Sequence, residues 1–126
     1  MAHPRTLGLF LHVGCAYCEQ SFGFYSRLVR LESSHVISAH VVALFPDQEA
    51  AVRTEVAGVI PSARAISDVD LRSLGVSVTP TLVLVDSRGK VLRSWLGLLS
   101  PSEEADVIRA AADPGTIVGL GDKLDQ

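Results

Sequence analysis

The apolar positions of this chain switch repeatedly between two periods. "TLGLFLHV" (6–13) is a short apolar run with polar flanks, the pattern of a buried strand. From Ala16 to about Ser33 the period lengthens. Phe22, Tyr25, Leu28, Val29 and Glu32 fall at helical spacing, with Arg27 and Arg30 between them. "VISAHVVALF" (36–45) returns to a strand, apolar on both faces as a central parallel strand is. Strand, helix and strand in this order predict a right-handed βαβ unit.

The next elements are shorter. "PDQEAAVRTEVAG" (46–58) predicts a helix with Asp47 at its N-cap and Gly58 at its stop. "ARAI" predicts a short strand, and "SDVDLRSLG" (67–75) a brief helix in which Ser67 and Asp70 imitate a capping box and Gly75 ends the run. Strands at about 81–86 and 90–96 flank "DSRG", which has hairpin turn chemistry. "SPSEEADVIRAAAD" (100–113) carries the clearest helix signal: Ser100 as cap, Pro101 at the first position, Glu103 completing the box. The segment from Pro114 to Gln126 has no clear period and reads as a loose extension. The order β-α-β-α-(β)-α-β-β-α predicts an α/β fold with a central mixed sheet, parallel at first and closing on an antiparallel hairpin.

Composition narrows the function classes. A length of 126 residues suits one domain, here 1–126 with a core at about 6–112, and 48% hydrophobic residues excludes a disordered chain. The longest apolar runs are strand-length, which excludes a transmembrane helix in this sequence. "MAHPRTLGLFLHV" has no small-residue cleavage site after its apolar stretch, so no signal peptide is visible. The net charge of −3, with no run of four basic residues, argues against nucleic acid and anionic membrane as partners.

Both cysteines lie in "HVGCAYCEQS" (12–21), between the first strand and the first helix. A bridge closing so small a loop stabilises little, because the entropy gain grows with loop length. A zinc site needs two further ligands. The closest histidine pair, His35 and His40, sits on a strand-like segment at a spacing that turns the two rings to opposite faces. A working redox pair fits better. Cys15 stands at a helix entrance, where unpaired N–H groups and the helix dipole stabilise a thiolate and bring thiol pKa values to about 3.5–7.5. Cys18 lies one turn further in, close enough to form a disulfide. Cys15 is the natural nucleophile and Cys18 the resolving thiol. The second chemical feature is "VTPT" (78–81), where Pro80 is either a strand-opening residue or the second residue of a cis bond.

On "GCAYC" after a strand, on "LGVSVTPTLVLVDSRGKVLRSWLG", and on the distance between them, residues 6–112 resemble the thioredoxin superfamily, and most closely the TlpA-like thiol–disulfide oxidoreductases of bacteria. The resemblance implies a thioredoxin-like fold in which residues 46–75 form the TlpA-type central insertion. It implies that Pro80 is a cis-proline set against the C-x-x-C helix, and that Thr79 offers its backbone to a substrate segment. Cys15 would attack and Cys18 resolve. No cofactor beyond the cysteines and no metal are implied. The implied partners are protein thiol or disulfide substrates and a redox partner. The implied location is extracytoplasmic, periplasmic or membrane-anchored, with any membrane contact through a targeting segment outside this sequence; a cytoplasmic location is the alternative.

The departures from the family pattern are specific. Gly14 stands where the family usually has Trp, Tyr17 where proline is often found, and Leu9 where thioredoxins carry a buried acid. His12 and Glu19 are the nearby candidates for modulating thiol acidity or taking a proton. Tyr17, between the cysteines, is a candidate substrate contact, and Trp95 a packing residue. Two other chemistries share parts of the pattern. A thiol peroxidase would need P-x-x-x-T-x-x-C, which is absent, His12 replacing the Thr. A Cu(I)-handling thioredoxin-like protein would use Cys15, Cys18 and a His, since soft thiolates suit Cu(I). Its known relatives have wider cysteine spacing, and Met1 is the only Met here.

Overall fold

A computed structural model describes residues 4–112. The expected C-terminal extension, 113–126, lies outside the described residues. Five strands form one mixed sheet in the order β3-β2-β1-β4-β5. β1 (Thr6–Phe10) is central. It pairs in parallel with β2 (His40–Leu44) and antiparallel with β4 (Thr81–Val85), which continues through a hairpin into β5 (Val91–Leu96). The two-residue strand β3 (Ala65–Ile66) adds a parallel edge beside β2. The helices are α1 (Ala16–Gln20), α2 (Phe22–Ser33), α3 (Glu49–Val56) and α4 (Pro101–Ala112).

Alternation along the strands divides the sheet into two faces. Leu7, Leu9, Val41, Ala43, Leu82 and Leu84 point to one face and are fully buried, in one cluster with Tyr25 and Leu28 of α2, Val52 and Val56 of α3, and Val107 and Ala111 of α4. Each such Leu contributes about 1.5–3 kcal/mol by leaving water. The opposite face, with Phe10, Val42, Leu44, Val83 and Val85, is only half-buried. Phe10 and Leu44 close over Gly8, where an added Cβ would come within 3.1 Å of the Phe10 ring.

Several elements are shorter than the pattern predicts, each because backbone groups find other partners. The second strand begins at His40, not at Val36. The N–H groups of Val36 and Ile37 close the end of α2 on the Leu31 carbonyl, and those of Ser38 and Ala39 bond to Ala111 of α4. β2 is also packed on one face only, rather than buried on both. α3 begins at Glu49 with Gln48 at its N-cap, because the carboxylate of Asp47 is used elsewhere. Between Ser67 and Gly75 the expected helix is reduced to a 3-10 turn, Arg72–Leu74. Leu71 stands at its N-cap, Asp70 accepts the Ser73 N–H, Ser67 makes no capping bond, and Gly75 ends it with φ of 82°. The hairpin turn and the cap of the last helix match the pattern. Asp86 accepts the N–H groups of Arg88 and Lys90 in the hairpin turn, and Ser100 and Glu103 form a reciprocal capping box at α4.

Candidate active site

The site is built at the C-terminal end of β1. After Phe10 the chain makes one more sheet bond, from the Leu11 N–H to the Leu44 carbonyl, and then leaves the sheet. Gly14 turns it with φ of 82°, a left-handed conformation that side chains disfavour. This explains the Gly at a position where Trp is common: the larger residue would be strained in this turn. The loop is fixed from outside. The Val13 N–H donates to Asp47 at 2.8 Å, and the Cys15 N–H to the His12 carbonyl at 3.3 Å.

Cys15 is the N-cap of α1, and its side chain does the capping: the Cys18 N–H donates to Sγ of Cys15 at 3.2 Å. The two cysteines form a disulfide with their Cα atoms 5.2 Å apart. Cys18 is completely buried, whereas Cys15 keeps 7% of its surface. The helix after them is not continuous. α1 ends after five residues, because the Ser21 hydroxyl donates to the Tyr17 carbonyl and the Ser21 N–H to that of Cys18; α2 then starts afresh on the Ser21 carbonyl. The single helix expected over 16–33 is therefore two. A macrodipole from five residues is small, so the directed Cys18 N–H is the main local support for negative charge on Cys15.

The segment 64 residues further on closes over Cys15. The Thr79 hydroxyl lies 3.6 Å from Sγ of Cys15, and the Thr79 carbonyl oxygen 3.7 Å from it. The Thr79–Pro80 bond is cis. The Pro80 carbonyl accepts the Gly97 N–H at 2.8 Å, which ties this turn to the end of β5. Exposed apolar side chains adjoin these contacts in sequence: Tyr17 between the cysteines, Val78 before Thr79, and Leu98 after Gly97.

His12 and Glu19 take different positions. Nδ1 of His12 lies 2.9 Å from the Val13 carbonyl oxygen, and among the described residues its ring makes no hydrogen bond to either sulfur. Glu19 is exposed, and its side chain meets a residue the sequence reading missed, Glu55 of α3. One carboxylate oxygen of Glu55 is buried with no hydrogen-bond donor of its own. Burial raises the Glu55 carboxyl above its ordinary value, and contact with Glu19 and the charges of Glu19 and Asp47 add to this; the Gly14 N–H opposes it. The only sequence signal for Glu55 was its place on the polar side of a helix, which does not separate it from a solvated surface residue. Burial pushes the Tyr25 phenol up to about 12, against a hydrogen bond with Ser21, so it stays protonated at neutral pH. Among the described residues no group of three or more His, Cys, Asp or Glu side chains is placed to hold a metal ion. His35 ends α2 with φ of 63° and does not share a strand with His40.

A family model described as a thioredoxin-like domain matches residues 2–112. Solved structures agree. The thiol:disulfide interchange protein DsbE of Chlorobium tepidum, so described on a provisional basis, is similar at 25% identity and a TM-score of 0.70, over 87% of this chain and 81% of that one. StoA of Bacillus subtilis shares the fold at 12% identity and a TM-score of 0.68, over 86% and 83% of the two chains. So does dsbF of MTB, solved in mixed oxidized and reduced forms, at 20% identity and a TM-score of 0.68, over 88% and 83%. No curated protein matches the chain.

Proposed function

The chain belongs to the thioredoxin-like family, and on that premise we propose that it exchanges disulfides with protein thiols, Cys15 attacking and Cys18 resolving. The chain is a thiol–disulfide oxidoreductase, and the observation that carries this is the Cys15–Cys18 disulfide at the end of the central strand, roofed by Thr79. The difference in burial supports the division of roles. Of the pair, Cys15 keeps surface for a partner, and among the described residues it alone has a backbone donor aimed at its sulfur. Attack on a partner disulfide forms a mixed disulfide at Cys15; Cys18 then displaces the partner's thiolate and restores the internal bond.

A protein rather than a small thiol suits the surroundings. An extended segment can lie along the backbone of Thr79, with the exposed side chains of Tyr17, Val78 and Leu98 to meet its apolar groups. Thr79, Pro80 and Tyr17 are the substrate-binding residues in this reading. An extracytoplasmic location is the reading that the likeness to the DsbE-type structure supports. The deciding experiment is a redox titration of the Cys15/Cys18 couple against a thiol–disulfide buffer. A reversible two-electron couple that is lost in Cys15→Ser supports the reading, and a pair that never reduces and reoxidises refutes it. A potential near about −270 mV assigns a reductant, and one near about −120 mV an oxidant.

A further inference from the structure

We propose that Ser21 is a positioning residue for the attacking thiol: its hydroxyl holds the carbonyl of the peptide group whose N–H points at Cys15, and so supports the Cys15 thiolate through that peptide. The inference rests on the exchange reaction proposed above. Two hydrogen bonds meet on one rigid unit. The Ser21 hydroxyl donates to the Tyr17 carbonyl at 2.8 Å, and the Cys18 N–H donates to Sγ of Cys15 at 3.2 Å. That carbonyl and that N–H are the two ends of the Tyr17–Cys18 peptide group, which is planar and turns as a whole. In an unbroken helix the Tyr17 carbonyl would take the N–H four residues on, that of Ser21. Here the Ser21 N–H goes to the Cys18 carbonyl, and the side chain takes its place. The hydroxyl thus fixes the direction of the Tyr17 carbonyl, and with it the direction of the Cys18 N–H. Ser21 is buried, so water competes little for this bond.

The arrangement acts mainly on the reduced protein. When a partner dithiol reduces it, the Cys15–Cys18 bond breaks and the partner gives up two electrons and two protons to become a disulfide. Cys18 takes one proton. Above the titration of Cys15 the other goes to solvent, and Cys15 is left as a thiolate facing the Cys18 N–H. A disulfide sulfur is a weak acceptor and a thiolate a strong one, so this N–H favours the reduced, ionised form. A donor on the carbonyl side polarises the peptide group and strengthens its N–H as a donor, by about 10–30% per bond in such a chain. For a hydrogen bond to a charged group this amounts to about a two- to fourfold gain in the acidity of Cys15. The Thr79 hydroxyl, 3.6 Å from the same sulfur, comes from another segment and does not depend on Ser21.

The test is the thiolate titration of Cys15, followed by ultraviolet absorbance, in Cys18→Ser protein with and without Ser21→Ala or Ser21→Thr. In that background Cys15 is the sole thiol, and the backbone N–H at position 18 is kept. Ser21→Ala should raise the titration by about 0.3–0.6 pH unit, the two- to fourfold loss above. Ser21→Thr, whose hydroxyl can bond the same carbonyl, should restore at least half of it. The second readout is the potential of the couple against pH with both cysteines present. Wild type and Ser21→Ala should coincide below the Cys15 titration and separate above it, Ser21→Ala becoming more reducing by up to the same factor, about 9–18 mV. A constant offset at every pH would leave the hydroxyl a structural role only and overturn the proposal, as would an unchanged titration in Ser21→Ala or a Thr variant as weak as Ala. A wild-type pair that does not cycle counts against the exchange reaction instead, and the single-thiol titration still decides the role of Ser21. If Ser21→Ala does not fold, proton NMR of the Cys18→Ser protein decides: the Ser21 hydroxyl proton should be protected from exchange and its resonance should move as Cys15 titrates, and a freely exchanging hydroxyl overturns the assignment.

Discussion

Asp47 accepts the backbone N–H of Val13 at 2.8 Å, and so ties the start of α3 to the loop two residues before Cys15. The bond spans 34 residues and spends on the active site a carboxylate that the local sequence offers to its own helix. Asp47→Ala leaves the Val13 N–H half-buried without a partner and should lower the unfolding free energy of the oxidised protein by about 1–3 kcal/mol. Asp47→Asn keeps an acceptor and should lose less than half of that. Urea unfolding of the three proteins measures both; equal stability of wild type and Asp47→Ala would show that water replaces the carboxylate at no cost.

A second carboxylate governs acid stability. Asp106 of α4 accepts the Trp95 indole N–H at 3.0 Å and pairs with Arg93. Burial would raise its carboxyl, but the Trp95 hydrogen bond and the Arg93 guanidinium outweigh this and hold it below the ordinary carboxylate value. The folded state therefore binds this proton more weakly than the unfolded state does. The resulting stability is present above the unfolded pKa, near about 4, and is lost as pH falls through the lower folded value. Asp106→Asn should be less stable than wild type at pH 7 and should show a shallower loss below about pH 4. Thermal unfolding between pH 2 and 7 tests this, and parallel curves would assign the acid sensitivity to another group such as Glu32, which is also lowered, by Arg64, Val41 and His40 against its burial.

These two carboxylates mark what the sequence makes legible. Short apolar runs and the 3.6 period located the strands and the main helices, because Leu7, Leu9, Leu28, Leu82 and Val107 are selected by burial, which acts locally along each element. The cysteine pair was equally plain, since C-x-x-C at a strand end is itself short-range. The errors lie where a backbone or side-chain group takes a partner outside the pattern of its own element. Asp47 reads as an N-cap until Val13 claims it, and residues 36–39 read as strand until Leu31 and Ala111 take their N–H groups. Ser21 breaks a helix whose apolar spacing continues without interruption.

Tyr17 offers a clean separation of binding from folding. Its side chain is 54% exposed although it lies between two buried cysteines, so the fold gains little from it. Tyr17→Ala should change unfolding free energy by no more than about 0.5 kcal/mol, the usual range for surface substitutions. Reduction of a protein disulfide should slow several-fold, while reaction with a small disulfide such as oxidised glutathione should change much less. Equal slowing with both substrates would place the effect of Tyr17 on the thiols themselves rather than on substrate contact.

The division of labour between the cysteines gives the most direct prediction. Sγ of Cys15 receives the Cys18 N–H at 3.2 Å and faces Thr79, and Cys15 alone of the pair keeps surface for a partner. Cys18 is wholly covered, and its burial raises the cost of forming a thiolate there. In Cys18→Ser the attack remains and the resolving step is gone, so mixed disulfides with partner proteins should accumulate and appear as reducible adducts on non-reducing gels. In Cys15→Ser the remaining thiol is buried and few adducts should form. The small polar replacement keeps the Cys18 N–H in place, so both variants should fold, which circular dichroism checks. Mass spectrometry of the Cys18→Ser adducts identifies the partners. Adducts on Cys15→Ser but not on Cys18→Ser would reverse the roles, and folded variants that both trap nothing from a lysate containing wild-type substrates would remove the covalent step from the mechanism.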